Sequence, residues 1–202
     1  MKKFIYIVMI AFTALSISSC AESEVSFLDL SGDLGFTGSS ADIEEFLTSP
    51  VYNVMSDLGL NINPGSEPVN LEGTFSANPY CAVNSTNPNA NIGCNYTPWF
   101  ITFSNQNNET LTINYYGRQI DLEGNVSSEE SGSGLISGDA AGNFSVIVKG
   151  SGATGTNATV FSGRITFDGI LGYQDIFVPN IEGTSDLSAT LFNDEDGLAE
   201  RQ

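Results

Sequence analysis

From Val69 onward, apolar and polar side chains alternate in short runs. Val69, Leu71, Gly73 and Phe75 fall on one side of the period and Asn70, Glu72 and Thr74 on the other. Trp99, Ile101 and Phe103 alternate with Phe100, Thr102 and Ser104, and Leu111, Ile113 and Tyr115 with Thr112, Asn114 and Tyr116. A period of two is that of a strand with one wet face. Further strands are predicted at Gln119–Val126, Gly134–Gly138, Asn143–Lys149, Thr159–Phe167, Tyr173–Val178 and Asp186–Phe192. Turn-forming stretches separate them, such as 105–108 (NQNN), 139–142 (DAAG) and 150–152 (GSG). The Ser-Gly run around Glu129-Glu130 reads as an exposed hairpin tip. Strands at roughly ten-residue spacing predict an all-β fold. The expected architecture is an antiparallel β-barrel of 8–10 strands, with a β-sandwich as the alternative. No helical segment fills the gaps, which argues against parallel βαβ units.

Before Val69 the period is 3.6. Ile43, Phe46 and Leu47 share a helical face, Ser40 suits a first cap, and Ser49-Pro50 restarts the helix. Val51, Val54, Met55 and Leu58 continue the apolar stripe to Gly59, where a C-terminal cap belongs. This short N-terminal helix, over residues 41–60, is expected to flank the core and cover an open end of it. Residues 20–40 read as an acidic Gly-Ser tether that touches the domain through Phe27, Leu28, Leu30 and Phe36, and residues 61–202 as the β domain.

Residues 1–19 have the form of a secretory signal. Lys2 and Lys3 precede an apolar stretch from Phe4 to Ile17 that is too short for a stable membrane span. The segment Ile17-Ser18-Ser19-Cys20 resembles the lipobox of bacterial lipoproteins, in which the Cys thiol carries a diacylglycerol. The resemblance implies cleavage before Cys20, acylation there with palmitate-type chains, and an effectively permanent anchor. An ordinary signal cut nearby, leaving a free thiol, is the alternative. Ala21 stands where an inner-membrane retention mark would carry Asp, so the outer membrane is expected. The run Ala21-Glu22-Ser23-Glu24 resembles the tract that directs many Bacteroidota lipoproteins to the cell surface, which leaves periplasmic and surface-facing placements both open.

Charge and composition narrow the chemistry. The formal charge is −18, and loss of Lys2 and Lys3 makes it −20. Such a surface repels nucleic acid, so the expected partners are the membrane, through the lipid, and a small molecule. With no His there is no Ser-His-Asp or Cys-His catalysis and no His-ligated metal. No G-x-S-x-G turn, S-x-x-K pair or phosphate loop occurs, and no pair of carboxylates is singled out. The acidic stretch 193–197 is not an EF-hand, because Phe192 stands at the first ligand position. It reads as a solvated acidic turn, with a looser calcium site as the alternative. No catalytic residue, metal or cofactor is assigned. Cys81 and Cys94 remain as an even pair in an oxidising compartment and are expected to form a disulfide across an Asn-rich loop, with two buried thiols as the alternative.

Phe75, Trp99, Phe103, Tyr115, Phe144, Phe161 and Phe167 fall on the apolar faces of their strands. They either line a ligand cavity or fill a closed core. The segment Asn70-Leu71-Glu72-Gly73-Thr74-Phe75, after a helix and Asn63-Pro64-Gly65, resembles the opening of lipocalin-like bacterial lipoproteins, as does the stretch Phe161–Ile170. Phe75 stands where the lipocalin signature carries Trp. That resemblance implies a ligand-holding barrel. The expected function is a non-catalytic binding module for a small apolar or glycan ligand. The alternative is a structural or interaction lipoprotein with a filled core.

Overall fold

The computed structural model describes residues 35–152, 155–182 and 186–202. The signal segment, Cys20, and the tether residues Phe27, Leu28 and Leu30 lie outside these. Two helices, α1 (Ser40–Leu47) and α2 (Ser49–Asp57), precede the strands β1 (Gly73–Ala77), β2 (Tyr80–Ser85), β3 (Gly93–Tyr96), β4 (Trp99–Asn107), β5 (Thr112–Ile120) and β6 (Val126–Gly138). The series continues with β7 (Asn143–Gly152), β8 (Gly155–Ile165), β9 (Gly169–Val178), β10 (Thr190–Asp194) and β11 (Leu198–Arg201).

All strands join one antiparallel sheet in the order β11-β1-β4-β5-β6-β7-β8-β9-β10-β2-β3, and a β11–β9 pairing closes it. The result is a closed eight-stranded barrel, not a sandwich of two sheets. Closure removes the free strand edges that an open sheet would expose. Three of the eight staves are each built from two segments. β10 and β11 run in succession along the same edge of β9, through Thr190↔Phe177 and Leu198↔Leu171. β1–β2 and β3–β4 are broken in the same way and pair with each other as Ala77↔Trp99 and Tyr80↔Tyr96.

The three breaks meet around Asp194. Its carboxylate accepts hydrogen bonds from the Asn78 N–H at 2.7 Å and the Asp196 N–H at 3.1 Å, while the Glu195 N–H donates to the Pro79 carbonyl at 3.0 Å. The acidic stretch is thus a seam in the barrel wall, with Asp194 only 2% exposed, and not a wholly solvated turn. Just beyond the seam, Cys81 and Cys94 are joined by a disulfide that ties β2 to β3.

The period-two reading found most of the wall but missed β2, β3 and β11, which are short and interrupted. The predicted strand Gln119–Val126 is instead the end of β5, a turn and the first residue of β6. Asp121 accepts from the N–H groups of Glu123 and Asn125, and Gly124 takes φ 86°. The Ser-Gly run is not a hairpin tip. It forms much of β6, paired along β5 from Thr112↔Leu135 to Ile120↔Val126.

Alternation along the strands divides the apolar residues into two cores. Inside the barrel, Phe75, Phe103, Phe144, Phe161 and Tyr115 pack with ring centroids 5.2–6.3 Å apart. Outside it, Ile43, Phe46, Leu47, Val51 and Met55 of the two helices cover Leu135, Ile147, Val160, Ile176 and Leu191 of the wall. The helical segment therefore lies on the barrel's side rather than over an open end, because its apolar stripe finds its partner there. It is also two helices. The Ser39 hydroxyl caps α1 through the Asp42 N–H, one residue before the expected cap at Ser40. Thr48, at φ 78°, breaks the chain before Pro50 opens α2, and Gly59 at φ 102° ends it as expected.

A strap, residues 60–68, runs from the helices across the outer wall. The Asn61 N–H and side-chain amide both donate to Gln174 Oε1 at 3.0 Å, and the Asn63 N–H donates to Ser145 Oγ at 2.9 Å. Ser162 and Ser137 donate to the carbonyls of Asn61 and Asn63 at 2.6 and 2.8 Å. The buried serines of the wall thus satisfy backbone groups that would otherwise be stranded.

Candidate functional site

The lower half of the barrel, away from the disulfide, is filled by phenylalanine. The half towards the disulfide has a different lining. Trp99, Gln119 and Ser128 form one inward-facing cross-strand row, and Ile101, Gly117 and Glu130 the next. Gly117 lacks a side chain for a reason visible in the packing. A Cβ there would sit 2.2 Å from the Trp99 ring, so the indole lies flat across the glycine. On the other side of the interior, Tyr173 and Asp175 of β9 point inward, as the alternation with Gln174 and Ile176 requires. Tyr80 completes the group. Its ring lies between Trp99, at 6.1 Å, and Phe192, at 4.8 Å, both nearly parallel to it, and Tyr96 meets Phe192 edge-on at 5.1 Å.

Asp175 is the centre of this lining. It is 5% exposed, and its Oδ2 accepts one hydrogen bond, from the Tyr80 hydroxyl at 2.8 Å. Its Oδ1, the Trp99 indole N–H and the Tyr173 hydroxyl, the latter two at 6% and 1% exposure, make no hydrogen bond of full geometry, although the Tyr173 hydroxyl lies near enough to both Asp175 and Trp99 to be influenced by each. Buried polar atoms left unpaired are rare and cost about 1–3 kcal/mol each, so three such atoms in one chamber are a concentrated liability. Burial raises the Asp175 pKa to about 7, with the charge of Glu130 pushing the same way, against the lowering effect of the Tyr80 and Tyr173 hydroxyls. Burial likewise raises Glu130 above the usual carboxylate range, and raises Tyr80 and Tyr173 well above that of a free phenol, with Asp175 reinforcing both. No cation bears on Asp175 among the described residues.

The wall beside this lining is incompletely paired. β6 and β7 pair only between Gly138↔Phe144 and Leu135↔Ile147, although both strands continue towards the disulfide end. Along the unpaired stretch of β6, inward-facing Gly132 is exposed and Glu130 half-buried. Glu130 thus lies beside the part of the wall where the β6–β7 ladder is unpaired.

Six of the seven aromatics expected to face the interior do so: Phe75, Trp99, Phe103, Tyr115, Phe144 and Phe161. They do not line one common cavity. Phe75, Phe103, Phe144 and Phe161 fill the lower half, and Trp99 belongs to the polar chamber. Phe167 is a correction. It sits in the β8–β9 turn, 93% exposed, beside an open surface groove of about 600 Å³ that also touches Asp168, Arg201 and Gln202. Its strand ends at Ile165, so the alternation that placed it inside no longer applies. A second open groove of about 520 Å³ lies on the outer wall, beside Tyr52, Asn61, Asn63 and Arg164.

No family model, curated protein or solved structure matches the chain. The site must be read from its own chemistry. Tyr80, Tyr173, Asp175 and Glu130 were not singled out by sequence reasoning. The available signal was Asp175 itself, an acid two residues from Tyr173 and two from Phe177 on a strand whose alternation turns that face inward.

Proposed function

We propose that the protein is a lipid-anchored lipoprotein of the outer membrane, tethered through Cys20, whose barrel is a non-catalytic binding module. The lipobox-like segment and the signal before it support the anchor. The buried polar cluster of Trp99, Tyr173 and Asp175, incompletely hydrogen-bonded, walled by aromatic rings and lying near the stretch where β6 and β7 are unpaired, carries the binding reading. The polar groups of a small ligand pair with these atoms while its apolar part rests against the edges of the aromatic wall. A wholly apolar ligand would leave them unpaired, so the favoured ligand is small and polar on at least one side.

The experiment follows from Trp99 being the chain's one tryptophan. Native mass spectrometry of the protein purified from its own membrane should reveal a small co-purifying molecule. Its removal should shift the Trp99 emission, and its return should restore it. A second reading, a structural lipoprotein with a filled core, is favoured by the phenylalanine packing of the lower half. Absence of any co-purifying molecule, together with Trp99 emission indifferent to extracts of the native envelope, would establish that reading instead.

A further inference from the structure

Resting on the binding reading above, we infer that the ligand is a small organic cation: an amine whose ammonium group docks on Asp175 and which carries an acceptor oxygen for the Trp99 indole N–H. Two carboxyl groups, Asp175 and Glu130, face the same interior, and each is felt by Tyr80 and Tyr173. The four cations among the described residues lie elsewhere. Arg118 lies over the Phe100 ring, Lys149 over Phe46 of α1 and Arg201 over Phe75 at the far end, while Arg164 borders the outer groove. This lining thus holds acids without a counter-charge, which interiors accommodate either by keeping the acid protonated or by taking up a partner's charge.

The unpaired atoms define what that partner carries. Asp175 Oδ1 is an acceptor and the Trp99 N–H a donor; the Tyr173 hydroxyl, able to serve as either, is near both but gives neither a hydrogen bond of full geometry. An ammonium group donates to the first and an oxygen accepts from the second. A neutral polyol can make the same number of hydrogen bonds, but it leaves the carboxylate charge uncompensated. Glu130, beside the unpaired stretch of the wall, attracts a cation.

The test compares isosteres by titrating Trp99 fluorescence in the full-length protein at pH 7.5 and 0.5 M NaCl, where attraction to the acidic outer surface is screened. The probes are ethanolamine against ethylene glycol, and tyramine against 4-(2-hydroxyethyl)phenol. The expected result is that each amine binds at least about tenfold more tightly than its neutral counterpart, since a charge-assisted hydrogen bond is roughly twice as strong as a neutral one. Asp175→Asn should reduce that preference to less than about threefold, and Glu130→Gln, at a half-buried position, should reduce it by about two- to threefold. Neutral probes that bind as well as the amines would overturn the cation assignment and leave the binding reading standing. An amine preference unchanged in both variants would place the cation elsewhere and refute the assignment. If no probe moves Trp99 but a molecule co-purifies and does, its charge decides the matter. If none does either, the binding reading itself fails.

Discussion

Replacing Asp175 by Asn isolates the energetic consequence of burying an acid in the barrel. The carboxyl has a pKa of about 7 when folded against 3.8 in its ordinary state, chiefly because burial penalises the charged form. The folded protein therefore binds this proton more tightly than the unfolded chain, so stability is lost as pH rises from the lower value through the higher one. Over the range pH 5 to 7.5 the loss from this one group is about 2.5 kcal/mol, or roughly 5–10 °C in Tm for a domain of this size. Asn keeps an oxygen that can accept from the Tyr80 hydroxyl and never ionises. The groups facing position 175 are Tyr80 of β2, Tyr173 of β9 and Glu130 of β6. The two tyrosines stay neutral throughout the range because their pKa values are raised. Asp42, Asp121, Asp139 and Asp196 have lowered values and are ionised in both states over this range, so they contribute no slope. Asp194, with a value of about 6, contributes a slope of the same sign, but equally in both proteins. Urea unfolding of wild type and Asp175→Asn at half-unit pH intervals should therefore give two curves that diverge above pH 5, with the variant the more stable at pH 7.5. A gap constant to within about 0.5 kcal/mol from pH 5 to 7.5 would refute the argument, because no group at position 175 would then be titrating.

Cys20→Ala should leave unprocessed precursor and abolish detergent-phase partitioning, and a variant that still partitions like wild type would remove the lipobox reading. Cys81→Ser with Cys94→Ser should lower stability by about 3 kcal/mol in the chain-entropy view of a loop this long, measured by denaturant unfolding at one pH. Reduction of the wild type should reproduce the loss. Gly117→Val should cost about 1–3 kcal/mol by overpacking against the indole and should shift Trp99 emission. A variant with wild-type stability and emission would mean that Trp99 does not lie across that glycine.

The wall of the barrel was legible wherever a strand is long and half-wet. β4, β5, β7, β8 and β9 all carry the alternation along at least part of their length, and their turns carry Asn, Asp and Gly. Parts of the broken staves were not legible, since β2, β3 and β11 are four to six residues long and interrupted before a period can establish itself. β6 was hidden for another reason. Its Ser and Gly residues have low intrinsic strand preference, yet Gly132 and Gly134 are held opposite the Tyr115 ring and the side chains of Val146 and Val148, where larger residues would not fit. Tertiary packing overrides propensity there. The side on which the helices pack was likewise undecided, because an apolar stripe announces that it needs a partner but not which face of a barrel provides it.

The site was concealed by the property that makes it informative. An acid in a chain with 24 Asp and Glu residues is unremarkable as a letter, and most of them are exposed. Asp175 differs only by parity: on β9 the inward positions are Tyr173, Asp175 and Phe177, and the outward ones Gln174, Ile176 and Val178. Ile176 and Val178 are apolar because the helices and the strap cover the outer wall, so both faces of this strand are buried in part and the pattern ceases to tell inside from outside. Only the closed register, which sets Phe161 and Phe192 beside Asp175, shows that the acid shares its face with aromatic rings. Had β9 lain at an exposed edge, the same residue would be a solvated carboxylate. The position of the helices on the outer wall therefore bears on the function of the inner one: by burying the outward face of β9, they fix the register that holds Asp175 inside.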